Sequence, residues 1–153
     1  MHRNFVPFCI CFVLALGVIA TEAASKDIAD EIISITKAQW AAEMKKDSST
    51  AMKNIASDYT EFNFTYPTRL DGKELNQRLA EAQVAASGDL IAAEMANEKV
   101  QVYGDTAILT YNFIGAVKEK DGTVEPLRAK STRVYIKTKD RWMLVHANFA
   151  AVD

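Results

Sequence analysis

The stretch Ser131–Ala150, STRVYIKTKDRWMLVHANFA, decides the fold because it predicts two antiparallel strands joined by a tight turn. β-Branched and aromatic residues, which favour strands, dominate Val134–Ile136 in the first half and Trp142–Val145 in the second. The side chains of a strand alternate between its two faces. Arg133 and Tyr135 are therefore expected to share one face of the first strand.

Further strands are predicted upstream of this hairpin, each bounded by turn residues such as Pro67, Gly104-Asp105 and Asp121-Gly122. The stretch Leu90–Tyr103 is predicted to be one long strand or two strands joined by a bulge near Asn97-Glu98. The predicted strands are Asp58–Tyr66, Leu90–Tyr103, Thr106–Lys118, Pro126–Thr138 and Arg141–Val152. Most of the sheet is therefore expected to be a run of long antiparallel strands.

A long amphipathic helix is predicted over Lys26–Lys46. Ile28, Ile32, Ile35 and Gln39 fall on one helical face, and Trp40 lies on its flank as a core residue. This stripe predicts that the helix packs against the sheet.

Two further helices are predicted from their capping residues. Asp47, followed by two serines, caps a short helix at about Thr50–Ser57. Asp71 is the expected N-cap of another helix, with Glu74 reaching back to it, and that helix extends to about Ala86. Because the helices are segregated from the strands, the sequence predicts an α+β fold.

The hairpin also carries a family resemblance. Thr132-Arg133-Val134-Tyr135, followed by Trp142 and Val145-His146, resembles the closing hairpin of SnoaL-like domains and of the calcium/calmodulin-dependent protein kinase II association domain. Both belong to the nuclear transport factor 2-like superfamily, and Val102–Ala107 and Asp121-Gly122 match further family signatures. The resemblance implies a cystatin-like cone, in which a curved antiparallel sheet wraps around the long N-terminal helix and encloses a pocket.

This fold hosts several classes of function, so the fold alone does not choose among them. The leading hypothesis is an exported domain that binds a small molecule in the cone, possible ligands being apolar or carboxylated. The first alternative is an isomerase, cyclase or dehydratase acting in the same pocket. Its acid–base candidates are Asp58, Glu61 and Glu94 as bases and Tyr59, Tyr103 and Tyr111 as donors. The second alternative is a homo-oligomerisation module.

Arg133 is the charged residue of most interest, because a guanidinium in the middle of a strand is costly unless it is paired. The resemblance implies that it points into the cone and helps to bind small carboxylates. The further pocket arginines of the kinase association domain correspond to Ile114 and Phe149, so the full cationic cluster is absent. The alternative is that Arg133 pairs with a carboxylate such as Glu61 and only supports the fold. If it lines the pocket, the predicted ligand-binding residues are Arg133, Trp40, Tyr135 and Phe149.

His146 is the one histidine after the first few residues. The alternation of the last strand predicts that it lies on the face of Leu144 and Asn148, opposite Val145. We expect a structural role, through hydrogen bonds or a subunit contact, with a general base as the alternative.

The N-terminus has the pattern of a secretory signal peptide. His2 and Arg3 precede an apolar run over Phe5–Ala20, and small residues follow, with a cut expected near Ala23. The sequence thus predicts a signal peptide over residues 1–23, a domain over residues 24–153, and a secreted or periplasmic location with no membrane contact after cleavage. Both cysteines, Cys9 and Cys11, fall in the signal, so the mature chain has neither a disulfide nor a thiolate metal site.

The charge and composition of the chain limit the classes of binding partner that we expect. The formal net charge of -2 suggests neither a nucleic acid nor an anionic membrane. No motif for a cofactor or a metal is present in the sequence.

Apolar residues occupy both faces of the predicted strands around Ala107–Phe113 and Met143–Phe149. Because an exposed apolar sheet face is typical of an interface, we expect a two-fold homodimer.

Overall fold

The computed structural model describes residues 14–152. Three helices and six strands follow one another in this part of the chain. They are α1 Leu14–Met44, α2 Ser48–Ala51, β1 Ile55–Asn63, β2 Leu70–Asp71, α3 Lys73–Ser87, β3 Asp89–Tyr103, β4 Thr106–Lys118, β5 Val124–Thr138 and β6 Arg141–Ala151. The α+β prediction is confirmed, and the bounds of β4 are those that the sequence predicted.

The six strands form one curved, unclosed sheet in the order β2-β1-β6-β5-β4-β3. The strands from β3 to β6 form an antiparallel meander. The pair of β1 and β6 is parallel, which the prediction of an antiparallel sheet did not include. Parallel neighbours need a long connection between them, and here it runs through β2, α3 and the strands β3 to β5.

The helix α1 packs on the inner face of the sheet, against β3 and β4. Its buried residues Ile32, Thr36 and Trp40 recur every four positions, so they form one stripe that faces the strands. On β5 the buried positions alternate, and Arg133 and Tyr135 both face inward, as predicted. The core thus lies between α1 and the meander, and it places Arg133 beneath the helix.

Several predicted element boundaries are wrong. The helix α1 extends N-terminal to Lys26 and ends at Met44. Asp47 does cap α2, since its side chain accepts a hydrogen bond from the Thr50 amide at 3.1 Å, but α2 is only one turn long. The predicted cap of α3 is also wrong. Asp71 lies in the short strand β2, and Gly72, at φ 92°, is the N-cap without a side-chain hydrogen bond.

The strand pairing has several register shifts, and two of them bear on the predicted alternation of the strands. The predicted bulge near Asn97 is confirmed, because Asn97 has φ 53° and the register of β3 on β4 shifts between Ala96 and Lys99. A second bulge, which the sequence analysis missed, lies at Val145, because Tyr135 pairs with Leu144 whereas Val134 pairs with His146. His146 is therefore on the outer face, opposite Leu144, and its predicted face is wrong.

Residues 1–13, which hold the basic head and most of the apolar run of the predicted signal peptide, lie outside the described residues. The expected cut near Ala23 falls within α1 as the structure has it. Within residues 14–152, no helix combines the length and the apolar character that a membrane crossing requires.

Candidate functional site

A cavity of about 470 Å³ lies between α1, α3 and the inner face of the sheet. This volume falls within the range of about 300–1,000 Å³ that is typical of small-molecule sites. Most of its wall area is apolar, and polar side chains line it from both helices, α1 and α3, from the strands β1, β3 and β5, and from loops. The apolar walls include Trp40, Met52, Leu79, Leu90, Phe113 and Phe149.

Arg133 lies in the wall of this cavity with 3% of its surface exposed. Its Nε donates a hydrogen bond to the Tyr111 hydroxyl at 2.9 Å, and its Nη1 donates to Gln39 Oε1 at 2.7 Å. Among residues 14–152, no carboxylate oxygen lies within 4.0 Å of the guanidinium. The predicted alternative, a pair between Arg133 and Glu61, is therefore wrong.

Two aromatic rings flank the guanidinium. Its carbon Cζ lies 5.8 Å from the centroid of the Trp40 ring and 5.5 Å from that of Phe149. Cations at such distances are attracted by the negative faces of the rings. Burial works to lower the pKa of Arg133, but the surrounding tyrosines and Glu43 outweigh it, so the pKa stays above its usual range. Arg133 is therefore a permanent buried cation held by neutral partners.

Glu61 is held by neighbours of its own strand, β1. It accepts hydrogen bonds from the Tyr59 hydroxyl at 2.7 Å and from Asn63 Nδ2 at 2.9 Å. Burial raises the pKa of Tyr59 well above its ordinary value, and the adjacent Glu61 adds to the shift. Tyr59 thus remains a neutral hydrogen-bond donor to Glu61.

Glu43 is another acid in the cavity wall, and the Gln39 side chain links it to Arg133. Gln39 Nε2 donates to Glu43 Oε1 at 2.8 Å, while Gln39 Oε1 accepts from Arg133. Burial raises the pKa of the Glu43 carboxyl, whereas Arg133 and the hydrogen bond from Gln39 lower it, and Glu61 adds to the increase. The net shift is upward, so the acid form of Glu43 persists to higher pH than that of an exposed glutamate.

The structure brings together three of the four predicted ligand-binding residues. Arg133, Trp40 and Phe149 line the cavity. Tyr135 does not line it, because the side chain is fully buried and its hydroxyl lies 2.8 Å from Thr36 Oγ1. Ile114 was aligned with a pocket arginine of the kinase association domain, but it lies on the outer face of the sheet, 44% exposed.

The acid–base candidates are divided between the cavity and the surface. Glu61 and Tyr59 line the cavity, and Tyr111 contacts it only through Arg133. Asp58 and Glu94 are exposed, and Tyr103 is exposed at the end of β3, where its hydroxyl accepts a hydrogen bond from Gln101. In the part of the chain that the structure describes, no three His, Cys, Asp or Glu side chains are grouped as metal ligands would be.

The sequence analysis missed the polar pair Gln39 and Glu43 as site residues. One signal was available, since Gln39 stands on the apolar stripe of α1 and Glu43 follows it by one helical turn.

His146 is not in the cavity wall. Its Nδ1 lies 2.8 Å from Thr60 Oγ1 on β1, in agreement with the structural role expected for it.

The model of the family "Calcium/calmodulin dependent protein kinase II association domain" matches residues 28–152. No curated protein matches the chain.

Three similar solved structures share the fold. The association domain of the C. elegans CaMKII is 20% identical, with a TM-score of 0.69 over 84% of this chain and 98% of that one. A nuclear transport factor 2-like protein of unknown function from Pseudomonas putida is 18% identical, with a TM-score of 0.72 over 84% and 89%. A nuclear transport factor 2-like superfamily protein from Salmonella enterica is 13% identical, with a TM-score of 0.72 over 84% and 93%. At such identities these structures establish the fold alone.

Proposed function

The chain belongs to the calcium/calmodulin dependent protein kinase II association domain family, and from this premise we propose that it binds a small carboxylate in its cavity. Arg133 carries the proposal. A buried cation is costly unless an anion compensates it, and in residues 14–152 the hydrogen-bond partners of Arg133 are the neutral side chains of Tyr111 and Gln39. A ligand carboxylate would supply a counter-charge in direct contact with the guanidinium, which Glu43 provides only at a distance through Gln39.

The hydrogen-bonding capacity of Arg133 supports the same conclusion. A guanidinium has five N–H donors, and the described side chains accept from Nε and from Nη1. Nη2 has no partner among them, and Arg133 borders the cavity. The aromatic rings of Trp40 and Phe149 on either side would exclude water from a carboxylate bound there and so strengthen the contact.

Native mass spectrometry of the protein purified from its expression host tests this proposal. We expect a non-covalent adduct that is released on denaturation and identified as a carboxylic acid in the extract. A protein that carries no adduct, and that binds no member of a panel of aliphatic and aromatic monocarboxylates in calorimetric titrations, would refute carboxylate binding.

Self-association is a second part of the proposal, supported by an apolar patch on the outer face of the sheet. The patch consists of Ile108, Val134, Ile136 and Met143. Strand pairing places Ile108 beside Val134 and Ile136 beside Met143. Ile136 is 40% exposed, which is unusual for an isoleucine in the middle of a sheet.

We expect a two-fold homodimer formed through this patch. Light scattering at micromolar concentration should give twice the mass of the chain, and Val134→Glu should give the single mass because it places a charge at the centre of the patch. Thr123→Glu, in the exposed turn before β5, is the control and should leave the dimer intact. A monomeric wild-type protein would contradict this part of the proposal.

Export is the third part. We expect the segment over Phe5–Ala20 to be removed close to Ala23 when the protein is made in a secreting host. N-terminal sequencing of the protein recovered from the periplasm or the medium checks this. A chain that keeps its first residues and stays in the membrane fraction would disprove cleavage.

A further inference from the structure

We propose that the cavity takes up its carboxylate together with one proton, which Glu43 holds and donates to the ligand in a hydrogen bond. This inference rests on the proposed carboxylate site at Arg133. It adds a second contact residue and makes the affinity depend on pH. The observation that supports this inference is a row of hydrogen bonds that runs from Arg133 through Gln39 to Glu43.

The chemistry of this row fixes the orientation of Gln39. A guanidinium only donates hydrogen bonds, so the Gln39 side chain must present its oxygen to Arg133. Its amide nitrogen then faces Glu43 and donates to Oε1 at 2.8 Å. Gln39 therefore holds the carboxyl group of Glu43 near the cation without letting the two form a direct ion pair. Oε2 of Glu43 receives no hydrogen bond from the described side chains, and Glu43 lines the cavity.

A ligand carboxylate at Arg133 would change the electrostatics of Glu43. In the free protein, the positive charge of Arg133 favours the ionised form of Glu43, while burial and Glu61 oppose it. A bound carboxylate neutralises Arg133 and adds a negative charge beside Glu43. Both effects favour the acid form, whose O–H can then donate to the ligand. The proton comes from the solvent, so one proton is taken up for each carboxylate bound.

The other charged and titratable groups around the cavity do not supply this proton in the same way. Within residues 14–152 no histidine faces Glu43, because His146 lies on the outer face of the sheet beside Thr60. Lys46 and Asp89 form an ion pair with each other at 2.7 Å. The remaining charged or titratable groups that line the cavity are Tyr59 and Glu61 on β1, Tyr66 after β1, Glu119 after β4, and Glu125 and Arg133 on β5. Tyr111 on β4 lies behind Arg133 and bonds to it.

The sign of the pH dependence follows from linkage. Because the complex binds more protons than the free protein, the affinity is highest at low pH and falls as the pH rises through the pKa of Glu43 in the complex. One coupled proton limits the fall to about tenfold per pH unit. The ligand itself is ionised above about pH 5.5, since a simple carboxylic acid titrates near the value of glutamate.

Calorimetric titration with 4-phenylbutanoate between about pH 5.5 and pH 8.5 tests the inference. We expect the dissociation constant of the wild-type protein to rise with pH, and the heat to depend on the ionisation enthalpy of the buffer as proton uptake requires. Glu43→Gln keeps an acceptor for Gln39 and gains a permanent donor for the ligand. This variant should therefore bind with an affinity that is independent of pH. Glu31→Gln, exposed on the same helix, is the matched control and should keep the wild-type pH dependence.

The outcomes separate this inference from the proposal on which it rests. No binding of 4-phenylbutanoate at any pH would count against the carboxylate site itself. Binding with a constant affinity and no buffer-dependent heat would overturn proton uptake and leave the carboxylate site standing. A pH dependence that persists in Glu43→Gln would show that another group takes the proton. Buffer-dependent heats of the wild-type protein decide the question even if the variant fails to fold.

Discussion

Arg133→Leu is expected to weaken the binding of a carboxylate such as 4-phenylbutanoate by tenfold to a hundredfold. Hydrogen bonds between charged partners contribute about 1.5–3 kcal/mol each, and about 1.4 kcal/mol corresponds to a factor of ten in affinity. The effect depends on charge, so the neutral 4-phenylbutanamide should lose little. Arg141→Leu makes the same change at an exposed position and is the control.

The same variant tests how Arg133 contributes to stability. Breaking a buried ion pair leaves an uncompensated charge and costs about 3–5 kcal/mol. In this structure the substitution instead leaves two neutral groups, the Tyr111 hydroxyl and the Gln39 amide, and it removes a buried cation. Of these two groups only the Tyr111 hydroxyl is left buried, since Gln39 is half-buried, and one buried unpaired neutral group costs about 1–3 kcal/mol. We therefore expect a loss of unfolding free energy below about 3 kcal/mol. A large fall in melting temperature without any change in affinity would contradict the role of Arg133 as a ligand anchor.

Trp142→Ala is expected to have the largest effect on stability of the variants considered. The Trp142 side chain is 1% exposed and belongs to the core cluster. Removing a buried tryptophan costs about 3–5 kcal/mol, because apolar contacts are lost and the cavity left behind closes only in part. For a domain of this size, we expect the melting temperature to fall by about 10 °C. Thermal unfolding followed by circular dichroism measures it.

Trp142→Phe provides a matched comparison. The indole Nε1 of Trp142 is buried without a hydrogen-bond partner among the described residues. Phenylalanine removes this unpaired N–H and leaves a smaller void, so the loss of stability should be clearly smaller than in Trp142→Ala. An alanine variant that unfolds within about 1 kcal/mol of the wild type would mean that the site collapses around the missing ring.

The sequence predicted the sheet well, because strand alternation depends on local pattern. The burial of Arg133 and Tyr135 on one face followed from that alternation alone. The parallel pair of β1 with β6 was not predictable in this way, because it joins segments far apart in the chain. The bulge at Val145 explains why the predicted face of His146 was wrong. Side chains alternate between the two faces of a strand, so one extra residue moves those after it to the other face.

The site was harder to predict than the fold. Trp40 was predicted from the helical stripe of α1, Phe149 was aligned with a pocket position through the resemblance, and Gln39 was already placed on the inner stripe of α1. The Gln39 side-chain oxygen contacts Arg133, which lies 94 positions further along the chain. A contact of this range depends on tertiary packing. Tyr135 and Arg133 are both buried, but only Arg133 lines the cavity, because the Tyr135 hydroxyl lies in hydrogen-bond contact with Thr36 on α1. This difference arises only when α1 packs on the sheet.

The parallel pairing of β1 with β6 also governs the order in which the molecule can be completed during synthesis. Thr60 and His146, which meet across this pair, are 86 positions apart, and β3, β4 and β5 lie between them. β1 therefore emerges early but has no neighbour on that side until the last strand has been made. Contacts of such long range slow folding and leave an unpaired strand edge open in the meantime. A chain shortened before β6 would leave the edges of both β1 and β5 unpaired, which makes premature termination an aggregation hazard for this protein.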